Sequence, residues 1–197
     1  MKAWLYDWGG ANVTLFHTIN ANHAAWLDSI MLALTWAGDH DRFAGYLGVL
    51  ALFTWWRFSR NPANASSHAL VLALVTLSIA YFLDGLLVIG LKSAFDFPRP
   101  SAVFAPDGIV VVGTPEFRHS FPSGHASFAA LLATVLWPLV KPFIRAALVL
   151  FVIGVCLSRL YLGFHFPADV LFGSLKSLVL VTAVRAALST RARATRD

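Results

Sequence analysis

The sequence predicts an all-α protein, an integral membrane bundle of six transmembrane helices forming a single domain over residues 1–197. Two observations carry this prediction. The first is composition: 58% of the 197 residues are hydrophobic and only 13% charged, with a mean hydropathy of +0.69. Ordinary soluble domains are about 45–50% apolar and about 25% charged. A soluble chain of this length could not hide so much apolar surface, so lipid is the expected solvent. The second is pattern: apolar stretches alternate with short polar turns, without internal repeat, low-complexity tract or domain boundary.

The first apolar segment, about residues 24–37, is short for a span and begins among Asn20, Asn22 and His23, so it is read as crossing the membrane or lying partly in its interface. The clearer segments cover about residues 43–58, 67–90, 123–140, 145–163 and 167–188. Each approaches the roughly 20 residues that a tilted helix needs to cross about 30 Å of hydrocarbon. Between the second and third lies SRNPANASSH, a polar turn with the helix breaker Pro62. The long connection from Lys92 to Pro122 is rich in proline and turn residues, and such a length in a compact protein points to function. The N-terminal MKAWLYDWGG lacks an apolar run followed by a small-residue cleavage site, so no signal peptide is read. Cys156 is the single cysteine, which excludes an intramolecular disulfide and fits a small core residue.

The net charge of +5 follows the membrane rule for basic residues better than it indicates nucleic acid, and no nucleic acid is expected. With the N-terminus inside, one face receives Lys2, Arg57, Arg60, Lys141, Arg145, Arg191, Arg193 and Arg196. The other receives Arg42, Lys92, Arg99, Arg118 and Arg159 together with Asp39, Asp41, Asp96, Asp107, Glu116 and Asp169. The first face is expected in the cytoplasm, and the second outside.

Three polar clusters fall on that outer face. KSAFDFPRP carries Lys92, read as closing the third helix, and Arg99-Pro100. PSGH carries Ser123, Gly124 and His125; SRLYLGFHFPAD carries Arg159, His165 and Asp169. Ionisable groups at membrane depth are costly, so their convergence marks a functional site. Lys92, Arg99 and Arg159 suit a phosphate, which guanidinium forks match bidentately and an ammonium meets as a point charge. Pro122 suits the entry to a helix, so the amides of Ser123, Gly124 and His125 are expected to point outward at its positive dipole end. Gly124 would let an oxygen approach the backbone. Asp169, in the first turn opened by Pro167, can reach back to residues just outside the helix, where His165 lies, in the manner of a capping box. Accepting from one imidazole N–H, it would leave the other nitrogen as a nucleophile. His125 could then protonate the leaving oxygen, a role worth about 10²–10⁴ in rate. No HExxH run, paired cysteines or clustered carboxylates call for a metal, and no cofactor is expected.

Lys92-x6-Arg99-Pro100, then Pro122-Ser123-Gly124-His125, then Ser158-Arg159-x5-His165-x3-Asp169 resembles the full signature of the type 2 phosphatidic acid phosphatase superfamily. Each motif alone is weak; the three in order at these spacings are specific. FHTIN and WAGD, further upstream, are also similar to the family's N-terminal part. The resemblance implies a six-helix phosphatase working through a phosphohistidine without metal. His165 would be the nucleophile, Asp169 its partner and His125 the general acid, with Lys92, Arg99, Ser123, Gly124 and Arg159 binding phosphate. The implied partners are a lipid phosphate or pyrophosphate substrate and membrane lipids, with no obligate protein partner. Undecaprenyl pyrophosphate is the first expectation, followed by phosphatidylglycerol phosphate and lipid A phosphates, in a bacterial inner membrane with the site on its outer face. Phosphotransfer to another lipid, and a transporter or binder that holds an anionic lipid without chemistry, are the alternatives.

Other residues have plainer readings. Lys92, Arg99 and Arg159 taken singly could be interface anchors that snorkel. His17, His23, His40, His68 and His119 are read as structural, with Arg118 and His119 near enough to PSGH to touch a headgroup. The sequons at Asn12 and Asn64 are read as chance. Asp84 and Lys176 each sit inside an apolar helix at matching depth, about 12 Å below Lys92 and about 10.5 Å below Asp169 at 1.5 Å per residue. Either they meet, directly or through water, or Lys176 snorkels and Asp84 is protonated.

Overall fold

A computed structural model describes residues 6–194, with side chains over residues 6–190. Lys2, Arg191, Arg193 and Arg196, four of the cations behind the expected orientation, fall outside the described residues or side chains. Among the described residues the protein is helical, without strands: α1 (Ala11–Asn20), α2 (Ala25–Ala37), α3 (Phe43–Arg60), α4 (Ala65–Phe95), a single turn α5 (Pro100–Val103), α6 (Gly124–Leu136), α7 (Pro142–Tyr161) and α8 (Pro167–Ala194).

Local chemistry sets several of these ends. The side chain of Asn64 accepts from the Ser66 amide at 2.8 Å and caps α4. At the far end α4 continues one turn past Lys92 to Phe95, where Asp96 in a left-handed conformation (φ 42°) closes it on the Lys92 carbonyl. Lys92 therefore stands in the last turn rather than at the end. Pro142 and Pro167 open α7 and α8, where a missing N–H costs nothing. Pro122 does not open α6. It lies one residue outside the cap Ser123, and the helix begins at Gly124.

The α6 helix is the centre of the molecule and packs on α4, α7 and α8. Residues 126–133 and Val135 are all buried, and Phe128, Leu131, Leu132 and Val135 join Leu50, Leu70, Leu77 and Val181 in one core. A helix apolar on every side can be buried by protein or by lipid. Here protein does it, and thirteen residues rise only about 20 Å. Lipid-type exposure instead falls on the outer helices, at Trp55 (α3), Ile89 (α4), Leu150 (α7) and Val179 (α8).

Among the described residues, three helices are long and apolar enough to cross a membrane, covering Ala65–Val103, Pro142–Tyr161 and Pro167–Thr190. Ala25–Ala37 and Gly124–Leu139 are apolar but shorter. The α3 helix has 18 residues and ends in Trp55, Trp56, Arg57 and Arg60, which lower its apolar character.

The α1 helix was not marked by the sequence pattern. Its buried Asn12 and Asn20 act as clamps. Asn12 accepts from the Ala168 amide at 2.9 Å, and Asn20 bridges the Tyr161 carbonyl and both backbone groups of Val110 at 2.7–2.9 Å. Deep in the bundle, Lys176 donates to Asp84 at 2.6 Å and Ser177 donates to the same oxygen at 2.5 Å. Asp84 and Lys176 thus meet directly.

Candidate active site

The end of α4 and α7 and the start of α6 and α8 come together at one end of the bundle. Backbone bonds fix their relation: the Ser123 amide donates to the Asp169 carbonyl at 3.1 Å, joining the head of α6 to the head of α8. Gly173, one turn further along α8, allows the approach, because a Cβ there would lie 2.7 Å from the Ser123 carbonyl. Nothing in the sequence pattern singled out that glycine.

His165 sits in the turn between α7 and α8, 2% exposed. Gly163 shapes that turn at φ +81°, a conformation costly for other residues, and a Cβ would meet the Val110 carbonyl at 2.5 Å. The His165 amide bonds back to the Arg159 carbonyl at 3.2 Å. Its Nδ1 lies 3.3 Å from Asp169 Oδ2 and its Nε2 lies 3.4 Å from Arg99 Nη1. A guanidinium only donates and a carboxylate only accepts, so Nδ1 carries the hydrogen and Nε2 the lone pair. Burial first, then the charges of Arg99, Arg159 and Lys92, hold the His165 pKa well below the usual imidazole range. The ring is a neutral, oriented nitrogen base.

Asp169 is fully buried. Besides His165 it accepts from Ser120 Oγ at 2.6 Å, from the Phe166 amide at 2.9 Å and, on its other oxygen, from Tyr6 Oη at 2.8 Å. Four donors and no competing acceptor describe an ionised carboxylate. The Phe166 bond is the capping box that the sequence predicts. Burial, then the charge of Asp169, pushes the Tyr6 phenol up, so it stays a donor. No local signal in the sequence marks Tyr6 or Ser120.

Lys92, Arg99 and Arg159 lie on the same cavity. Arg99 is 4% exposed; it donates to the Arg118 carbonyl at 3.0 Å and the Phe164 carbonyl at 3.2 Å, and pairs with Glu116 at 2.7 Å. Arg159, also 4% exposed, donates to Thr35 at 3.1 Å and lies 4.3 Å over the Phe164 ring. Among the described residues, its buried Nε has no hydrogen-bond partner, nor has the buried Ser123 Oγ. The Ser123 amide is occupied by Asp169, which corrects the expectation that it points outward. Gly124 and His125, in the first turn of α6, have no carbonyl four residues back in the helix to bond. A methyl on Gly124 would meet nothing within 4 Å, so packing does not demand a glycine there.

Lys92, Arg99, Gly124, His125, Arg159 and His165 line one cavity of about 540 Å³. It runs down α4 past Ile89, Leu86 and Asp84 as far as Phe82 and Tyr81, and Ile89, Leu86 and Phe82 are exposed to the outside. His40 and Glu116 also line it. His40 was read as structural, yet its ring stands edge-on to His125 with centroids 6.3 Å apart. The remaining histidines match the plainer reading: His17 packs on Phe104, His23 bonds Asp28 and the Tyr161 carbonyl, and His68 bonds the Asn64 carbonyl. Arg118 pairs with Asp96, and His119 contacts Asp96 and the Lys92 carbonyl, so both brace the loop around Arg99.

The arrangement can hold a tetrahedral anion against cations and helix-head amides, beside a neutral imidazole and a second histidine. The chain is also similar to known proteins. The PAP2 superfamily model matches residues 69–193. An undecaprenyl-diphosphatase of Sulfolobus acidocaldarius is 28% identical over 170 residues, covering 83% of this chain and 72% of that protein. A phosphatidylglycerophosphatase B of Escherichia coli K12 is 45% identical over 70 residues, 34% of this chain and 28% of the relative. Among solved structures, Aquifex aeolicus LpxE superposes with a TM-score of 0.75 at 28% identity, covering 88% of this chain and 94% of that one. A PAP2-type phosphatidylglycerolphosphate phosphatase from Bacillus subtilis shares the fold, with a TM-score of 0.69 at 22% identity over 92% of this chain and 86% of the other.

Proposed function

This chain belongs to the PAP2 superfamily, and we propose that it is a membrane lipid phosphatase working through a phosphohistidine on His165. The observation that carries the reading is a cavity that joins three cations, three histidines and a helix head to an apolar wall. Lys92, Arg99 and Arg159 offset the charge of the phosphoryl oxygens, and the Gly124 and His125 amides with Ser123 Oγ add donors at the head of α6. A phosphate oxygen would also satisfy the unpartnered Arg159 Nε and Ser123 Oγ.

In the first half-reaction the Nε2 lone pair of His165 forms a P–N bond while the P–O bond to the lipid breaks. His125 gives its proton to the departing oxygen. The hydrogen on Nδ1 stays with His165, stabilised by the carboxylate of Asp169 as the ring gains positive charge. In the second, His125 takes a proton from water, whose oxygen attacks phosphorus and breaks the P–N bond. Inorganic phosphate leaves, and both histidines return to their starting states. The cations supply the charge neutralisation, so no metal takes part in the proposed scheme.

A cavity of this size encloses a phosphorylated head and the first carbons of a chain, and Phe82, Leu86 and Ile89 lead the rest into lipid. Undecaprenyl pyrophosphate is the proposed substrate; the S. acidocaldarius relative supports it, with phosphatidylglycerol phosphate and lipid A phosphates next. The chain would act as one domain with α2, α3, α4, α6, α7 and α8 as its six spans. Arg57, Arg60, Lys141 and Arg145 cluster at the end away from the site, which supports an outward-facing site in a bacterial inner membrane.

The test is phosphate release in detergent from polyprenyl pyrophosphate, phosphatidylglycerol phosphate, phosphatidic acid and lipid A, with EDTA present throughout. Release from at least one, strongest for the polyprenyl substrate and abolished in His165→Ala, is expected. No release from any, or full release by the variant, would contradict the reading.

A further inference from the structure

The WAGD stretch, Trp36 to Asp39, has no part in the scheme above, yet each of its residues is fixed in place. The guanidinium of Arg42 lies 4.7 Å over the Trp36 ring. The Ala37 carbonyl accepts from Tyr46 Oη at 2.8 Å. Gly38 lies so close to α7 that a Cβ would stand 2.6 Å from Cγ1 of the fully buried Val155. Asp39 then caps the turn His40–Arg42, its Oδ1 accepting from the Asp41 amide at 3.0 Å. Its second oxygen, Oδ2, is left facing His125 Nε2 at 3.8 Å. That is ion-pair distance, too long for a hydrogen bond.

The charges around His125 come from several elements. Lys92 on α4, Arg99 at the head of α5 and Arg159 on α7 line its cavity and oppose a proton on it. His40 faces it edge-on, and His165 lies across the cavity. Glu116 also lines the cavity, but its carboxylate is engaged by Arg99 at 2.7 Å. Among the described residues, Asp39 carries the one carboxylate within ion-pair distance of His125. A general acid must hold its proton until the leaving oxygen needs it.

We propose that Asp39 is the positioning residue for the general acid, holding the His125 imidazolium in place against the three phosphate-binding cations. The inference rests on the reading of His125 as the proton donor. As the P–N bond to His165 forms and the P–O bond to the lipid breaks, the proton passes from His125 to the lipid oxygen. His125 is left neutral, ready to take a proton from the attacking water. The WAGD loop would then serve one end: to carry a carboxylate to the head of α6.

The test compares two substrates, an alkyl lipid phosphate whose alkoxide must be protonated to leave, and a nitrophenyl phosphate whose phenolate leaves unaided. Asp39→Asn should lower kcat on the lipid about 10–100-fold, with the basic limb of the pH profile moved to lower pH. Most of that loss should vanish on the nitrophenyl substrate, and Asp39→Glu should recover activity on the lipid. Gly38→Ala, which pushes the loop off Val155, gives a second variant if Asp39→Asn does not fold, and should show the same dependence on leaving group. An equal loss on both substrates with the basic limb unmoved would overturn the proposal, leaving Asp39 a loop-packing residue. Full activity in His125→Ala on the lipid would overturn the acid assignment and this inference with it, whatever the Asp39 variants do.

Discussion

At the scale of single residues, the buried pair of His165 and Asp169 decides how the site responds to pH. Burial and three cations hold His165 neutral in the folded protein, whereas an unfolded histidine titrates at about 6.5. Below about 6.5 the unfolded chain therefore binds a proton that the folded one refuses, and folding stability falls as pH falls. Above that value both states are neutral at this position and the contribution is complete. Thermal unfolding in detergent between pH 8 and pH 5 should show a steeper acid decline for the native chain than for His165→Asn. Parallel declines would mean that the ring is not held neutral. The residues with their own chemistry were legible in sequence. Lys92, Arg99, His125, Arg159, His165 and Asp169 announce themselves by type and spacing, and the four-residue offset puts His165 within reach of Asp169. Tyr6, Ser120 and Thr35 did not, because each meets its partner only through tertiary packing, Tyr6 across 163 positions and Ser120 across 49.

At the scale of elements, periodicity located the helices but could not say what surrounds them. The run behind PSGH reads as a membrane span because apolar residues cover every face, yet α6 is enclosed by α4, α7 and α8. The α1 helix escaped notice because it is short and has asparagines near both ends, and those asparagines are what clamp it to Val110, Tyr161 and Ala168. Depth arithmetic along two helices did work, bringing Asp84 of α4 to Lys176 of α8 at 2.6 Å. With Ser177 on the same carboxylate, the pair joins these helices at the wall of the cavity, which Asp84 lines. Removing one partner leaves a buried charge alone, which costs about 3–5 kcal/mol in protein interiors. Asp84→Ala and Lys176→Ala should each destabilise more than the double variant does in a thermal-unfolding cycle. Additive losses would show that the two charges are not coupled.

At the scale of the whole molecule, the bundle is a device for bringing four helix ends to one place. The heads of α6 and α8 supply amides, a cap and a carboxylate; the ends of α4 and α7 supply cations. The turn at Gly163 sets His165 among them. The central claim is that this geometry splits hydrolysis into two displacements on His165. The most direct measurement uses His125→Ala with nitrophenyl phosphate, rapidly quenched in alkali and digested for mass spectrometry. An unaided leaving group lets the P–N bond form, while the missing base slows attack by water. Phosphate should therefore accumulate on the peptide containing His165, and should be absent when His165→Ala is added. Turnover of nitrophenyl phosphate with no phosphorylated peptide at any quench time, or with phosphate on a different residue, would contradict the account.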